Sequence, residues 1–280
     1  MREVDVSLIT DTVARLCVEA ACDLPEALCA RIEQCAAEEQ SPVGQGIFAD
    51  MKANYTLARE KRLPICQDTG MAVVFLRLGQ DVHLTGGGLT EAVNAGVAKG
   101  YTEGYLRKSV VSDPLRRVNT DDNTPAVLHV EIVPGEKIDI TVAPKGFGSE
   151  NMSAMRMFTP SATQADIEDF IASVADKAGS NPCPPMVLGV GLGGTVEQCA
   201  LEAKRALLRD PGTKNPDPLY DEMEQSALKK VNALGIGPQG MGGTVTALAV
   251  HIRPTATHIA GLPCVVNVSC HVTRHAEATL

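Results

Sequence analysis

Three cysteines sit in surroundings unlike those of the others. Cys66 lies in Pro64-Ile-Cys-Gln-Asp-Thr-Gly70, Cys183 in Asn181-Pro-Cys-Pro-Pro185 and Cys270 in Asn267-Val-Ser-Cys-His271. Each falls at a turn or at the end of a strand-like run. Proline on both sides of Cys183 stiffens the backbone and removes amide donors, which an ordinary core strand tolerates poorly. A local C-x₂-C pair, the usual zinc or ferredoxin signal, is absent. Three thiolates far apart in sequence could still meet in the fold. An iron–sulfur cube normally takes four cysteines, so three would leave one iron open as a Lewis acid. On the residues alone, three buried thiols explain the pattern as well. Cys17, Cys22, Cys29 and Cys35 match no chelating spacing, Cys199 falls in a helical pattern and Cys264 in a strand. All six read as packing.

The polar candidates are few. Gln67, Asp68 and Thr69 follow Cys66 directly, and Arg107 closes a predicted helix. Arginine is the natural bidentate partner of a carboxylate, though a lone arginine is usually a surface cation. His258, in Thr257-His-Ile-Ala-Gly-Leu-Pro263, could serve as acid or base near neutral pH or make a structural hydrogen bond. His271 and His275 receive no role. Glycine-rich segments stand at Thr85–Gly88, Lys145–Ser149, Gly189–Gly194 and Gly235–Gly243. They could be tight turns, or backbone cradles for a small dianion. Gly189, Gly191 and Gly194 also fit a Gly-x-Gly-x-x-Gly-like pattern after a strand. A dinucleotide site would place that motif in the first βα unit, with an acidic residue about 20 residues on.

The elements that must position these residues change character along the chain. Helical spacing runs through Val4–Ala20, from Pro25 to about Glu39, and through Ile47–Glu60. Beyond Lys61–Pro64, strands and helices mix. Strands are predicted at Met71–Leu78, Val127–Val133, Ile138–Val142, Met186–Val190, Thr244–Ile252 and Val265–His271. Pro134-Gly135 suggests that the second and third form a hairpin. Helices are predicted at Thr90–Leu106, Asp166–Ala178, Thr195–Leu208 and Leu219–Leu234. The expected class is α+β (mixed α/β): a helical subregion over residues 1–60, then a mixed sheet with packed helices over 61–280, in one domain spanning 1–280.

Composition narrows the function classes. The 280 residues carry 25 Lys+Arg against 34 Asp+Glu, a net charge of −9. An acidic chain argues against nucleic-acid binding, which needs a basic surface. With aromatics at 3% and no Trp, stacking platforms are not expected either. No run approaches the roughly 20 apolar residues of a membrane span. The N-terminus lacks the apolar core of an export signal, and nine cysteines make an odd count. A reducing, cytoplasmic setting is therefore expected.

Taken in order, Ile65-Cys-Gln-Asp-Thr-Gly70, Thr85-Gly-Gly-Gly88, Lys145-Gly-Phe-Gly-Ser149, Cys183-Pro-Pro185, Gly193-Gly-Thr195 and Val268-Ser-Cys270 resemble class I, iron–sulfur-dependent fumarate hydratases. The chain looks like the separate alpha subunit of the two-subunit form, a group that includes L(+)-tartrate dehydratase. The likeness covers roughly residues 40 to 275. Phe147 departs from it, standing where the family's loop usually has a third glycine. The resemblance implies a [4Fe–4S] cluster held by Cys66, Cys183 and Cys270, with one iron not ligated by protein. It implies substrate contacts at Gln67, Arg107 and Gly148, and catalytic roles for Asp68 and His258.

The implied reaction is reversible hydration of fumarate to L-malate, with dehydration of tartrate as the alternative substrate reading. In the fused enzymes of this family a second domain follows and supplies the base and further cations. The implied partners are therefore a beta subunit, in an α2β2 assembly, and a C4 dicarboxylate, with no nucleic acid and no membrane. A reading from another class is an electron-transfer or redox-sensing iron–sulfur protein, which would need four protein ligands.

Overall fold

The computed structural model describes residues 1–280. In chain order the elements are β1 (Arg2–Asp5), α1 (Val6–Cys22), α2 (Glu26–Glu38), α3 (Pro42–Lys61), β2 (Met71–Gly79), β3 (Val82–Thr85), α4 (Leu89–Glu103), β4 (Val127–Val133) and β5 (Ile138–Lys145). There follow α5 (Phe147–Glu150), β6 (Ala154–Phe158), α6 (Gln164–Ala178), β7 (Met186–Gly193), α7 (Val196–Ala206), α8 (Pro218–Asn232), β8 (Ala247–Thr255), β9 (Leu262–Ser269) and β10 (Ala276–Thr279). This is an α+β fold. No helix is long and apolar enough to cross a membrane. The chain groups into two compact units, and the composition shift near Lys61–Pro64 lies inside the first of them.

The first unit comprises Met1–Pro25, Tyr55–Phe147 and Arg274–Leu280. Its four-stranded sheet runs β10-β5-β2-β4, beside a parallel β1-β3 pair. Helix α1 starts where the Asp5 carboxylate caps the amide of Ser7. Its Ile9, Val13, Leu16 and Cys17 recur at helical spacing and bury against Val74 and Leu76 of β2, Val93 and Val97 of α4, and Ile138 and Ile140 of β5.

The predicted hairpin of β4 and β5 does not form, because β2 lies between them, parallel to β4 and antiparallel to β5. The Pro134-Gly135 connection instead wraps the end of β2, with Gly79 N–H donating to Lys137 C=O and Gln80 N–H to Val133 C=O. Strand β2 is the most apolar of the three, so it takes the central position, where both faces can be covered.

The second unit comprises Glu26–Asn54 and Gly148–Thr273. Its sheet runs β6-β9-β7-β8, with β7 parallel to β8 and antiparallel to β9. One face buries Leu188, Val190, Val250, Ile252, Val266 and Val268 against Ile167 and Ile171 of α6 and Met223 and Ala227 of α8. The other face carries α7. A Cβ on Gly191 would lie 1.9 Å from the Cys199 carbonyl oxygen of α7. Gly189 and Gly191 of GVGLGG therefore sit inside a fully buried strand, where they let a helix approach. That packing accounts for the first two glycines of the Gly-x-Gly-x-x-Gly-like spacing, and the third, Gly194 with φ +74, turns the chain after the strand.

Candidate functional site

In the first unit, the loop Cys66–Gly70 is held by side chains from several elements. Gly70 has φ +74, and a Cβ there would meet the Lys145 backbone at 2.8 Å, so only glycine lets this loop lie on the end of β5. The Asp68 carboxylate accepts the amide of Gly70 at 2.9 Å through Oδ1 and that of Phe147 at 2.8 Å through Oδ2. Asp68 thus ties the Cys66 loop to Phe147. Its own backbone carbonyl accepts Arg274 Nη2 at 2.6 Å.

Cys66 Sγ receives the Asp68 amide at 3.4 Å and donates to Gln67 Oε1 at 3.4 Å. The Cys66 side chain is half-buried, Asp68 half-buried and Gln67 exposed.

Arg107 is exposed and lies past α4, which ends at Glu103 before the Gly104 cap, so it does not close a helix as its spacing predicts. Its position is nevertheless fixed. Thr69 Oγ1 donates to the Arg107 carbonyl at 2.8 Å. Asn123, fully buried, accepts the amides of Ser109 (2.7 Å) and Val110 (3.2 Å) and donates to the Gly70 carbonyl (3.1 Å). The buried Tyr101 hydroxyl donates to the Thr69 or Gly70 carbonyl, and burial holds its pKa well above the ordinary tyrosine value. The Arg107 guanidinium therefore hangs from a segment bonded directly to the Cys66 loop.

In the second unit, the pairing of Val187 with Ser269 puts Cys183, before β7, and Cys270, after β9, at the same end of the sheet. Cys183 is exposed with φ +54, a left-handed conformation that is costly for a residue with a Cβ. His271 Nδ1 lies 3.0 Å from the Cys183 carbonyl oxygen. Gln239, φ +51, donates to the Pro184 carbonyl from its backbone N (2.8 Å) and from Nε2 (2.9 Å).

Gly148 is exposed at the start of α5, and a Cβ on it would only touch Asn181 O at 3.4 Å, an ordinary contact. His258 is not brought to this end. It is exposed in the turn between β8 and β9, where Thr257 Oγ1 reaches Gly194 O beyond the far end of β7. At about 3.3 Å per residue, the eight residues of β9 separate it from Cys270 by roughly 25 Å. His258 Nδ1 accepts the Ala260 amide, which puts the proton of the neutral ring on Nε2.

The remaining cysteines behave as packing groups. Burial raises the thiols of Cys17 and Cys264 to about 12 and of Cys35 and Cys199 to about 11, so they stay protonated. Cys22 is also buried and raised, and Cys29 is half-buried within α2. No cysteine is in a disulfide. Cys66, Cys183 and Cys270 alone combine a loop position with access to solvent. Within either unit no three His, Cys, Asp or Glu side chains converge. The donor set that remains is soft and thiol-only, which suits an iron–sulfur centre better than a hard oxygen-seeking cation.

Tyr101, Asn123, Gln239, His271 and Arg274 carry much of this geometry, and none has a local motif to mark it. The profile of the fumarate hydratase (Fumerase) family matches residues 10–279. A protein of Methanocaldococcus jannaschii named "Putative L(+)-tartrate dehydratase subunit alpha" is 37% identical over 274 residues, 96% of each chain. The L(+)-tartrate dehydratase subunit alpha of Escherichia coli K12 is 29% identical over 279 residues, covering 98% of this chain and 91% of its own. The L(+)-tartrate dehydratase subunit alpha of Shigella sonnei matches to the same extent. These matches mark a protein of hydro-lyase type. The chain belongs to the fumarate hydratase family.

Proposed function

We propose that this chain is the alpha subunit of a hydro-lyase that reversibly hydrates fumarate to L-malate, and that Cys66, Cys183 and Cys270 supply the thiolate ligands of a [4Fe–4S] cluster. The observation that carries the reading is the bond from Thr69 to the Arg107 carbonyl, which fastens a carboxylate-binding cation to the loop that bears a candidate ligand. When bound, such a cluster supplies a Lewis-acidic iron with an open position.

This chain's own residues then bind and orient. The Arg107 guanidinium pairs with one substrate carboxylate through its two-pronged fork, and the exposed Gln67 amide donates to a second oxygen. The exposed backbone at Gly148 lets a dicarboxylate approach without a side chain in the way. Asp68 takes an amide on each oxygen, which fixes its carboxylate and the direction its remaining lone pairs present to a proton. His258, about 25 Å along β9 from Cys270, is assigned no step at the cysteines of its own chain. A beta subunit supplies the base that removes the C3 proton and further carboxylate-binding groups, in an α2β2 assembly. An exposed cluster of this kind fits a reducing cytoplasm.

Tartrate is the second substrate reading, favoured by the names of the M. jannaschii, E. coli and Shigella relatives. It differs from malate by one hydroxyl. The test is hydration and dehydration kinetics of the anaerobically co-purified complex with fumarate, L-malate and L(+)-tartrate. A higher kcat/KM for tartrate selects the second reading. Turnover of none of the three overturns both.

A further inference from the structure

The glycine-rich segment Gly235–Gly243 has no part in the function proposed so far, yet it is built against the Cys183 loop. Its end is anchored by Glu39, 2% exposed, whose carboxylate accepts the amides of Thr244 and Val245. Its middle is seated so closely that a Cβ on Gly240 would lie 2.3 Å from the Ser180 side chain. At its tip Gln239 is held in a left-handed conformation, which costs a residue with a Cβ about 1 kcal/mol or more. That conformation lets Gln239 place two N–H groups, from backbone and side chain, on one acceptor, the Pro184 carbonyl. The same Nε2 lies 3.4 Å from His271 Nδ1.

His271 crosses the gap from the other side. It follows Cys270 directly and reaches the Cys183 carbonyl at 3.0 Å. A carbonyl only accepts, so this bond places the imidazole proton on Nδ1. Two strained residues, Cys183 and Gln239, thus lie at the sheet end that carries both cysteines, with His271 bonded to the Cys183 carbonyl and Gln239 to the adjoining Pro184 carbonyl. Strain of this kind persists only where the surroundings over-determine it, and it concentrates at functional sites.

We propose that His271 and Gln239 are positioning residues that lock the Cys183 and Cys270 loops into one register, so that a cluster binding there meets a preformed pair of thiols. This rests on the reading that Cys183 and Cys270 are cluster ligands. Groups that orient metal ligands typically change metal affinity 10–100-fold when removed.

The experiment compares wild type, His271→Ala, His271→Asn and Gln239→Ala as full chains, purified anaerobically and reconstituted with ferrous iron and sulfide. The readouts are iron and sulfide per chain, the rate of iron loss to a chelator, and the electron paramagnetic resonance signal of the reduced cluster. Circular dichroism of the apo chains checks the fold. His271→Ala and Gln239→Ala are expected to lose iron about 10–100-fold faster than wild type. His271→Asn keeps an N–H donor near the Nδ1 position and is expected to recover most of the retention.

Wild-type rates in both alanine variants overturn the proposal. So does equal lability of His271→Asn and His271→Ala, which would reduce His271 to bulk. If His271→Ala fails to fold, Gln239→Ala decides by the same iron-loss rate. Failure of wild type itself to take up iron strikes the ligand reading instead, and is told apart by that result alone.

Discussion

Replacing Asn123 by alanine should loosen the junction between the Cys66 loop and the Arg107 segment. Asn123 is fully buried with φ +64 and makes three hydrogen bonds, to Ser109 N, Val110 N and Gly70 O. Ser109 is exposed, so water can replace its bond, and Gly70 O keeps the Tyr101 hydroxyl at 3.1 Å. The Val110 amide, in a residue 7% exposed, has no such replacement. Leaving a buried donor unpaired costs about 1–3 kcal/mol. Alanine in the left-handed region adds about 1 kcal/mol, where asparagine is better tolerated. The expected loss is therefore about 2–4 kcal/mol.

Asn123→Gly separates the two contributions, since glycine takes the left-handed conformation freely but loses the same hydrogen bonds. It should be less destabilised than Asn123→Ala by about 1 kcal/mol. Urea unfolding followed by circular dichroism gives the total. Amide exchange at Ser109 and Val110 reports whether the loss is local. In the assembled enzyme the same variant should raise KM for the dicarboxylate, because Arg107 is carried by the loosened segment. Unchanged exchange at Val110, or equal stabilities of the Ala and Gly variants, would refute the reasoning.

Other outcomes follow from the same geometry. Gly191→Ala forces a methyl to within 1.9 Å of the Cys199 carbonyl, so α7 must shift on the sheet. A loss of about 3 kcal/mol or more is expected, read as a lowered thermal midpoint, and a wild-type midpoint would contradict it. Burial alone would raise the Glu39 carboxyl, but the amides of Ser41, Thr244 and Val245 lower it below the ordinary 4.5. A depressed carboxylate stabilises the fold above its unfolded pKa and is lost as pH falls through the folded value. Glu39→Gln should thus cost stability at pH 7 and weaken the acid dependence below about pH 4.5. A parallel shift of the whole pH curve would argue against it.

His251, 1% exposed, is lowered to about 3 by burial and by nearby Arg209, so it is neutral at pH 7. Its contribution is complete above the ordinary 6.5 and falls away between 6.5 and about 3, as the unfolded chain takes up the proton first. His251→Gln should flatten the stability profile between pH 6 and pH 4, measured by urea midpoints across that window.

Much of the architecture was legible because the apolar spacing is strong. Helix α1 follows from Ile9, Val13 and Leu16, α6 from its amphipathic spacing over Asp166–Ala178, and β7 from an unbroken apolar run. Pro134-Gly135 points to a hairpin that does not form, because a turn signal reports a reversal of the chain, not which strand fills the space between its arms. The short strands β1, β3, β6 and β10 went unseen, since four or five residues hold too little pattern to outweigh their neighbours.

At the site, the three loop cysteines announce themselves through Gly and Pro, whereas their supports do not. Asn123 before Thr124-Pro125 reads as an ordinary turn, and Gln239 hides in a glycine-rich loop. Arg274 sits in a polar tail, yet it is only 5% exposed with its Nε unpaired. These residues act through tertiary hydrogen bonds to partners far away in sequence, which no local motif encodes. The separation of His258 from Cys270 is likewise a matter of strand direction, visible only once β9 is placed between them.

The central claim is that Cys66, Cys183 and Cys270 hold a catalytic cluster. It is tested most directly by anaerobic co-expression with the proposed beta subunit, comparing wild type with Cys66→Ser, Cys183→Ser and Cys270→Ser. Iron and sulfide are counted and fumarate hydration is assayed with and without the partner. About four irons per wild-type chain are expected, with loss of iron in each serine variant and activity only in the complex. A wild-type chain that binds no iron under strict anaerobiosis, or serine variants that keep a full cluster, would contradict it.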